Sequence, residues 1–316
     1  MNGHCWKLRI KNNIYGEGVG YSRDLQCDAV GGQVSWQSFL QSFAPGCPCR
    51  GQRLHREYVR SQFPEAELIL SDGNPGFGVA NNIGLRLALE RGYDFAYLLN
   101  QDAWVEKDTI STLVAAARPD FGILSPVQND ASWRLDAQFA RKCSRSLKAA
   151  AVVAPDSRLV VDVPFVMAAH WLVSRKALQE VGGFSPAFSQ YGEDDNYIDR
   201  LHWRGLRCGV VPAAKAVHDR AGRKTPREKR MRLKCIAVVV RLSDPGRCWL
   251  WRRLTWPFEL AGMSLKNFSL IPLRFIPTLH ARIPELRRKR LRVHHHNSPP
   301  AQGVPEKGGV PAPIRR

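Results

Sequence analysis

Between Ala66 and Leu99 the chain reads as a strand, a helix and a second strand, and that order constrains its fold more than any other feature. "AELIL" (Ala66–Leu70) is a short apolar run of strand length. "GVANNIGLRLALERG" (Gly78–Gly92) repeats apolar residues at helical spacing and closes on glycine, and "FAYLL" (Phe95–Leu99) is apolar again. Strand, helix and strand in so short a length predict a right-handed parallel crossover. Asn100, Gln101 and Asp102 follow the second strand directly, at the carboxyl end where open α/β sheets place their ligands.

The alternation continues. A helix is predicted over "KDTISTLVAAA" (Lys107–Ala117) and a strand over "FGILSP" (Phe121–Pro126). An apolar stretch at Val160–Ser174 divides between strand and turn, and "RKALQEVGG" (Arg175–Gly183) reads as a helix with a glycine stop. A further helix begins in "YGEDDNYIDRLHWRG" (Tyr191–Gly205), and "CGVVP" (Cys208–Pro212) is a strand leading to His218. With 316 residues and 44% hydrophobic content, the chain can bury one large core, or one core and an appended segment.

Glu193, Asp194 and Asp195 stand side by side at a helix start. One carboxylate would serve as a cap against the free N–H groups and the positive end of the helix dipole. Three adjacent ones repel each other unless a cation, a proton or a substrate hydroxyl relieves them. The cluster marks a candidate site without naming its chemistry.

The net charge of +19 is concentrated at one end. Arg220 to Arg316 hold 23 Lys+Arg against 5 Asp+Glu, whereas the residues before them are nearly balanced. Trp249, Trp251, Trp256, Phe258, Phe268 and Phe275 are spaced among these basic residues. That pattern favours a segment lying in an anionic membrane interface, with a solvated basic tail and a nucleic-acid patch as the other readings. From His294 onward the sequence is rich in Pro and Gly and is expected to be disordered. No apolar run reaches eighteen residues, and "MNGHCWKLRIKNN" lacks the apolar stretch of a signal peptide, so a cytoplasmic location is expected. Eight scattered cysteines then read as reduced thiols.

Four segments, "GNPGFGVANNIGLRLAL", "YLLNQDAWV", "RKALQEVGGFSPAFSQYGEDDNYIDRLHWRG" and "VHDRAGR", occur in an order and spacing that resemble family 2 glycosyltransferases of GT-A fold, most of all the bacterial rhamnosyltransferase-like members. The resemblance covers about Phe63 to Arg223. It implies an α/β fold, with a mixed sheet flanked by helices. It also implies transfer of a sugar, with rhamnose among the candidates, from a nucleotide-diphosphate donor to a glycan or lipid-linked acceptor hydroxyl in cell-envelope polysaccharide synthesis.

The resemblance also assigns roles. Asp102 falls at the family's metal-binding aspartate, with Asn100 where the first aspartate of that motif would stand. His218 resembles the histidine that completes coordination of Mn²⁺ or Mg²⁺, which neutralises the leaving diphosphate. Asp194 takes the place of the carboxylate that removes the acceptor proton in an inverting reaction. Glu193 is expected to orient acceptor hydroxyls, and Asn196 stands where the family often has a further aspartate. Gly183 supplies a loop whose backbone approaches the donor sugar, and Asn74 and Asn82 are placed for the nucleotide or the sugar hydroxyls. A glycoside hydrolase is disfavoured, because adjacent Glu193 and Asp194 cannot flank a bond.

Residues 1–60 depart from the family pattern. No apolar strand of the usual kind is visible there, so the N-terminal strands are expected to be missing or divergent. The expected organisation is a divergent segment over 1–60, a GT-A domain over 61–225, a basic helical extension over 226–293 and a tail over 294–316. The expected partners are a nucleotide sugar, a glycan or lipid-linked acceptor and the inner face of the cell membrane, with nucleic acid not expected. The rival reading is a catalytically incomplete remnant that binds a membrane surface.

Overall fold

The computed structural model describes residues 5–12, 38–43, 67, 69, 76–100, 102–150, 159–220 and 225–294. One mixed sheet runs through them: β1 (Cys5–Asn12), β2 (Ser38–Phe43), β3 (Phe95–Asn100), β4 (Ala103–Val105), β5 (Phe121–Asn129), β6 (Val161–Val163), β7 (His170–Ser174) and β8 (Arg207–His218). Their order is β2-β1-β3-β7-β5-β8-β4, with β6 also on β8. β1 is parallel to β2 and β3, and β5 is parallel to β8, whereas β7 runs antiparallel between β3 and β5. The expected mixed sheet is present. The predicted strand Ala66–Leu70 lies outside the described residues except for Glu67 and Ile69, as do residues 295–316 of the predicted tail.

The N-terminal strands were expected to be missing or divergent, and of these the structure has strands in place: β1 and β2 extend the sheet beyond β3. Trp6, Leu8 and Ile10 alternate with Lys7, Arg9 and Lys11, a period-2 pattern that a search for one continuous apolar run passes over.

Alternation also builds the core. Leu98, Ile123, Trp171 and Val173 join one apolar layer, and Tyr97, Leu99, Leu124 and Leu172 join the other, so successive residues of a strand serve opposite faces. α1 (Phe77–Glu90), α4 (Arg175–Glu180) and α5 (Glu193–Trp203) cover the first face, and α2 (Thr109–Ala115) the second. α3 (Ala137–Ala150), which the sequence reading missed, buries Phe139 and Cys143 in the first layer. β8 is longer than predicted. Its partners shift from Pro126↔Val211 to Val127↔Lys215, a bulge that carries the strand past Pro212, which has no N–H to donate.

The basic extension is helical: α6 (Arg227–Ser243), α7 (Trp249–Asn267) and α8 (Ile271–His294). Cys235, Val238, Trp256, Leu260, Leu279 and Leu286 form its core, which takes in Ala187 and Phe188 from the loop before α5. Fully burying each large apolar side chain contributes about 1.5–3 kcal/mol, so the extension and the acidic helix are held to each other. Cys143, Cys208, Cys235 and Cys248 are free thiols.

Candidate active site

α5 begins at Gly192, whose φ of 84° lies in the left-handed region, and a Cβ there would come within 2.9 Å of Ile236 and Val240 on α6. Only glycine lets the chain turn this close to α6. The turn divides the three adjacent carboxylates between two surroundings. Asp194 and Asp195 line a cleft of about 510 Å³ between α3, α5 and α6, together with Asp199, which sequence reading missed. Glu193 is not among the residues lining this cleft. It is 8% exposed, its Cβ lies near Gly78 at the start of α1, and its Oε2 has no hydrogen-bond partner. The Glu193 side chain thus leaves the helix on the side of α1.

Electrostatics follow this division. Burial, and next the neighbouring Asp194 charge, push the Glu193 carboxyl up to about 8. Asp194 is raised by burial and then by Asp195, while its Oδ1 accepts the Asp195 N–H at 2.9 Å and the Lys142 charge opposes the rise. Asp195 is raised by burial too. Asp199 is pushed up to about 7 by burial, then by Asp244 and Asp195. Across the cleft stand Arg141 and Lys142 of α3, the latter 4.7 Å above the Phe165 ring. A carboxyl raised toward neutrality, in a cleft large enough for a ligand, has the protonation equilibrium that a general base requires.

Asp102 and His218 meet at the far end of β8. β4 pairs antiparallel with β8, Ala103 opposite His218, and the Asp219 N–H donates to the Asp102 carbonyl at 2.8 Å. This ladder sets His218 Nε2 3.6 Å from Asp102 Oδ2, longer than a hydrogen bond. Two ligand atoms about 2.1 Å from one ion lie about 3–4 Å apart at bond angles near 90–120°, so the separation fits a shared divalent cation. Asn100, two residues before Asp102, holds its buried Oδ1 without a hydrogen-bond partner. Among the described residues no group of three or more His, Cys, Asp and Glu gathers to hold a metal, so a cation here would draw its other ligands from elsewhere.

Arg220, also missed in the sequence, joins the two places. Its Nε lies beside the His218 ring, 3.2 Å from Nδ1 and 3.5 Å from Nε2, its Nη1 donates to Gln138 Oε1, and Gln138 lines the cleft beside Asp194. His170 is structural. Its Nε2 bonds the Val217 carbonyl at 3.0 Å, and Tyr97 Oη lies 2.9 Å from its Nδ1. Because a carbonyl only accepts, Nε2 carries the proton and Tyr97 donates to Nδ1.

The loop Gly182–Phe184 is locked from three sides. Asn82 Oδ1 accepts the Phe184 N–H at 2.6 Å, and its Nδ2 donates to the Phe184 carbonyl at 2.8 Å. This engages both ends of the amide, so Asn82 positions the loop. Arg200, buried on α5, donates to the Val181 and Gly183 carbonyls at 2.8 Å each and to Asn196 Oδ1 at 3.1 Å. Burial lowers its pKa to about 10. Phe184 stacks on Trp171 at 5.8 Å and meets Tyr197 at 5.2 Å. Asn196 in turn donates to Ser243 on α6. Asn74 lies outside the described residues.

No family model matches the chain, and no curated protein does. Among solved structures, the crystal structure of GalNAc-T7 with UDP, GalNAc and Mn²⁺ superposes with a TM-score of 0.51 at 13% identity, over 94% of this chain and 58% of that one. The chain has the GT-A fold. It spans little more than half the length of GalNAc-T7. The mannosyltransferase PcManGT from Pyrobaculum calidifontis, in complex with GDP-Man and Mn²⁺, matches at 0.45 with 15% identity over 93% of this chain and 74% of its own. S. aureus TarS matches at 0.48 with 11% identity over 79% and 41%. Scores under 0.5 add nothing to the fold assignment.

Within this GT-A sheet, Asp199 and Arg200 had a signal that could have found them. Asp199 follows Asp195 at i+4, and Arg200 follows Asn196 at i+4, so each pair shares a face of one helix.

Proposed function

We propose that the chain is a glycosyltransferase that moves a sugar, with rhamnose among the candidates, from a nucleotide-diphosphate donor to the hydroxyl of a glycan or lipid-linked acceptor. The observation that carries this reading is Asp194: a carboxylate at a helix start, raised toward neutrality, in a cleft connected through Gln138 and Arg220 to the Asp102–His218 pair. Asp194 removes the proton of the acceptor hydroxyl as that oxygen attacks the anomeric carbon opposite the leaving group, which inverts the configuration. The Asp195 N–H fixes Asp194 in place. Asp199, Arg141 and Lys142 are disposed to bind the acceptor's hydroxyls and any charge it carries. Asp102 and His218 would hold Mn²⁺ or Mg²⁺, which when bound neutralises charge on the departing diphosphate. GalNAc-T7, whose fold this chain shares, was crystallised with UDP and Mn²⁺, which is compatible with the reading.

A second reading, a remnant that keeps the fold without donor chemistry, draws on the same pair, because among the described residues no third His, Cys, Asp or Glu joins Asp102 and His218. Turnover decides between them. Purified chain with Mn²⁺ is offered UDP-, GDP- and dTDP-sugars, and release of the nucleoside diphosphate is followed with and without chelator. Metal-dependent release with at least one donor supports the transferase; metal-dependent binding of none of them supports the remnant.

A further inference from the structure

Helix α7 is apolar on two sides. Trp256 and Leu260 face the shared core of α6 and α8. At about 100° per residue, Trp251, Leu254, Phe258 and Leu265 fall on the opposite side with Leu250 on its flank, and all five are exposed, Phe258 at 78%. Phe268, at the turn into α8, is 92% exposed. A helix at a protein surface needs one apolar stripe to pack, and the first stripe already meets that need. A second stripe of large side chains facing water is the mark of a surface that another phase or molecule covers.

The charge around the stripe says which. Arg227 to Val293 carry 17 Lys+Arg against 4 Asp+Glu, and Arg253, Lys266, Arg274, Arg287 and Arg288 are exposed. Basic side chains beside exposed leucines and aromatics match a surface that is anionic at its headgroups and apolar just beneath. Leucine side chains find no partner on a nucleic-acid backbone, whereas acyl chains accept them. Among the described residues no helix is long and apolar enough to cross a membrane, so the helix would lie flat. We propose that the outer stripe of α7 and the turn at Phe268 dock into the interface of an anionic phospholipid bilayer, with the surrounding basic residues on its headgroups. α6 connects this surface to the cleft. Leu233, Ile236 and Ala237 line the cleft, while Val238, Val239 and Leu242 pack into the core that α7 closes. The use of this placement, bringing a lipid-linked acceptor within reach of Asp194, rests on the transferase reading; the docking itself does not.

The test uses the full chain with extruded phosphatidylcholine vesicles, with and without phosphatidylglycerol, read by co-sedimentation. Binding to the anionic vesicles is expected to exceed binding to the neutral ones by about tenfold or more, and to be released in part by high salt. Leu254→Glu with Phe258→Glu, at positions already in water, is expected to leave the thermal melt unchanged and weaken vesicle binding by about tenfold or more. Wild-type affinity in that variant overturns the proposal. So does a solution dimer that the same two substitutions dissolve, which would make a second copy the occupant, and so does tighter binding to duplex DNA than to anionic vesicles at matched salt. Donor turnover on a soluble acceptor is unaffected by these substitutions, so loss of docking and loss of the transferase reading are told apart.

Discussion

The side-chain amide of Asn82 and the backbone of Phe184 exchange two hydrogen bonds across 102 residues of sequence, at 2.6 and 2.8 Å. The loop that precedes the acidic helix is therefore fixed from helix α1. Asn82→Ala leaves a buried N–H and a buried carbonyl without their partner, at a cost of about 2–3 kcal/mol. Thermal or urea unfolding should show that loss, and a variant as stable as the parent would mean that the pair contributes nothing.

Arg200 supports the same loop with two hydrogen bonds, to the Val181 and Gly183 carbonyls, and holds Asn196 of its own helix with a third. Lysine keeps the charge and loses the fork. Arg200→Lys is expected to lower stability by about 2 kcal/mol or more, since a buried cation then sits among carbonyls it cannot all reach. Denaturation curves check this, and the slope of the urea transition shows whether the native state has loosened.

For Asp194 the measurement is turnover. Asp194→Asn should fold like the parent and bind donor, yet lower kcat by about a hundredfold or more. Unchanged transfer would remove Asp194 from the chemistry.

Asp102 and His218 are tested by binding. Titration calorimetry of a nucleotide sugar with Mn²⁺ present should show affinity falling by about tenfold or more in Asp102→Ala, while the parent in chelator behaves like the variant. Equal affinities in all three samples would separate the pair from metal.

Glu193 gives a pH dependence of defined sign. Its carboxyl is raised from 4.5 to about 8 in the folded chain. The folded state keeps a proton that the unfolded state releases near the ordinary value, so this contribution to stability is complete below about 4.5 and is lost as pH rises toward about 8. Urea unfolding from pH 5 to 8 should show stability falling by about 2 kcal/mol, and Glu193→Gln should flatten part of that slope. Asp194 and Asp199 act in the same direction, so the difference between the two slopes is the quantity to read.

What the sequence disclosed depended on whether a signal was local. The strand at Phe95–Leu99, the helix at Gly78–Gly92 and the acidic helix start are each written in a short window, and the structure has all three. β1 was passed over because its apolar residues alternate, and β8 was cut at Pro212 because a bulge cannot be seen without its partner β5. Asp102 and His218 were singled out by motif, but their approach is a property of the β4–β8 ladder. Glu193 and Asp194 stand side by side in the sequence. A helix advances about 100° per residue, so neighbours at its start face different surroundings, and of these two only Asp194 lines the cleft, where Asp195 joins it.

The glycines around α5 have a consequence for descent. A Cβ on Gly76 would strike the Ser189 carbonyl, one on Gly183 the Asn82 amide, and one on Gly78 would come within 2.9 Å of Phe184. Sequence change has few positions where geometry allows a single letter, and these are such positions. Gly76, Gly78, Gly183 and Gly192, at their spacings and with Asn82 between them, form a signature by which distant kin of this chain can be sought when overall similarity has faded.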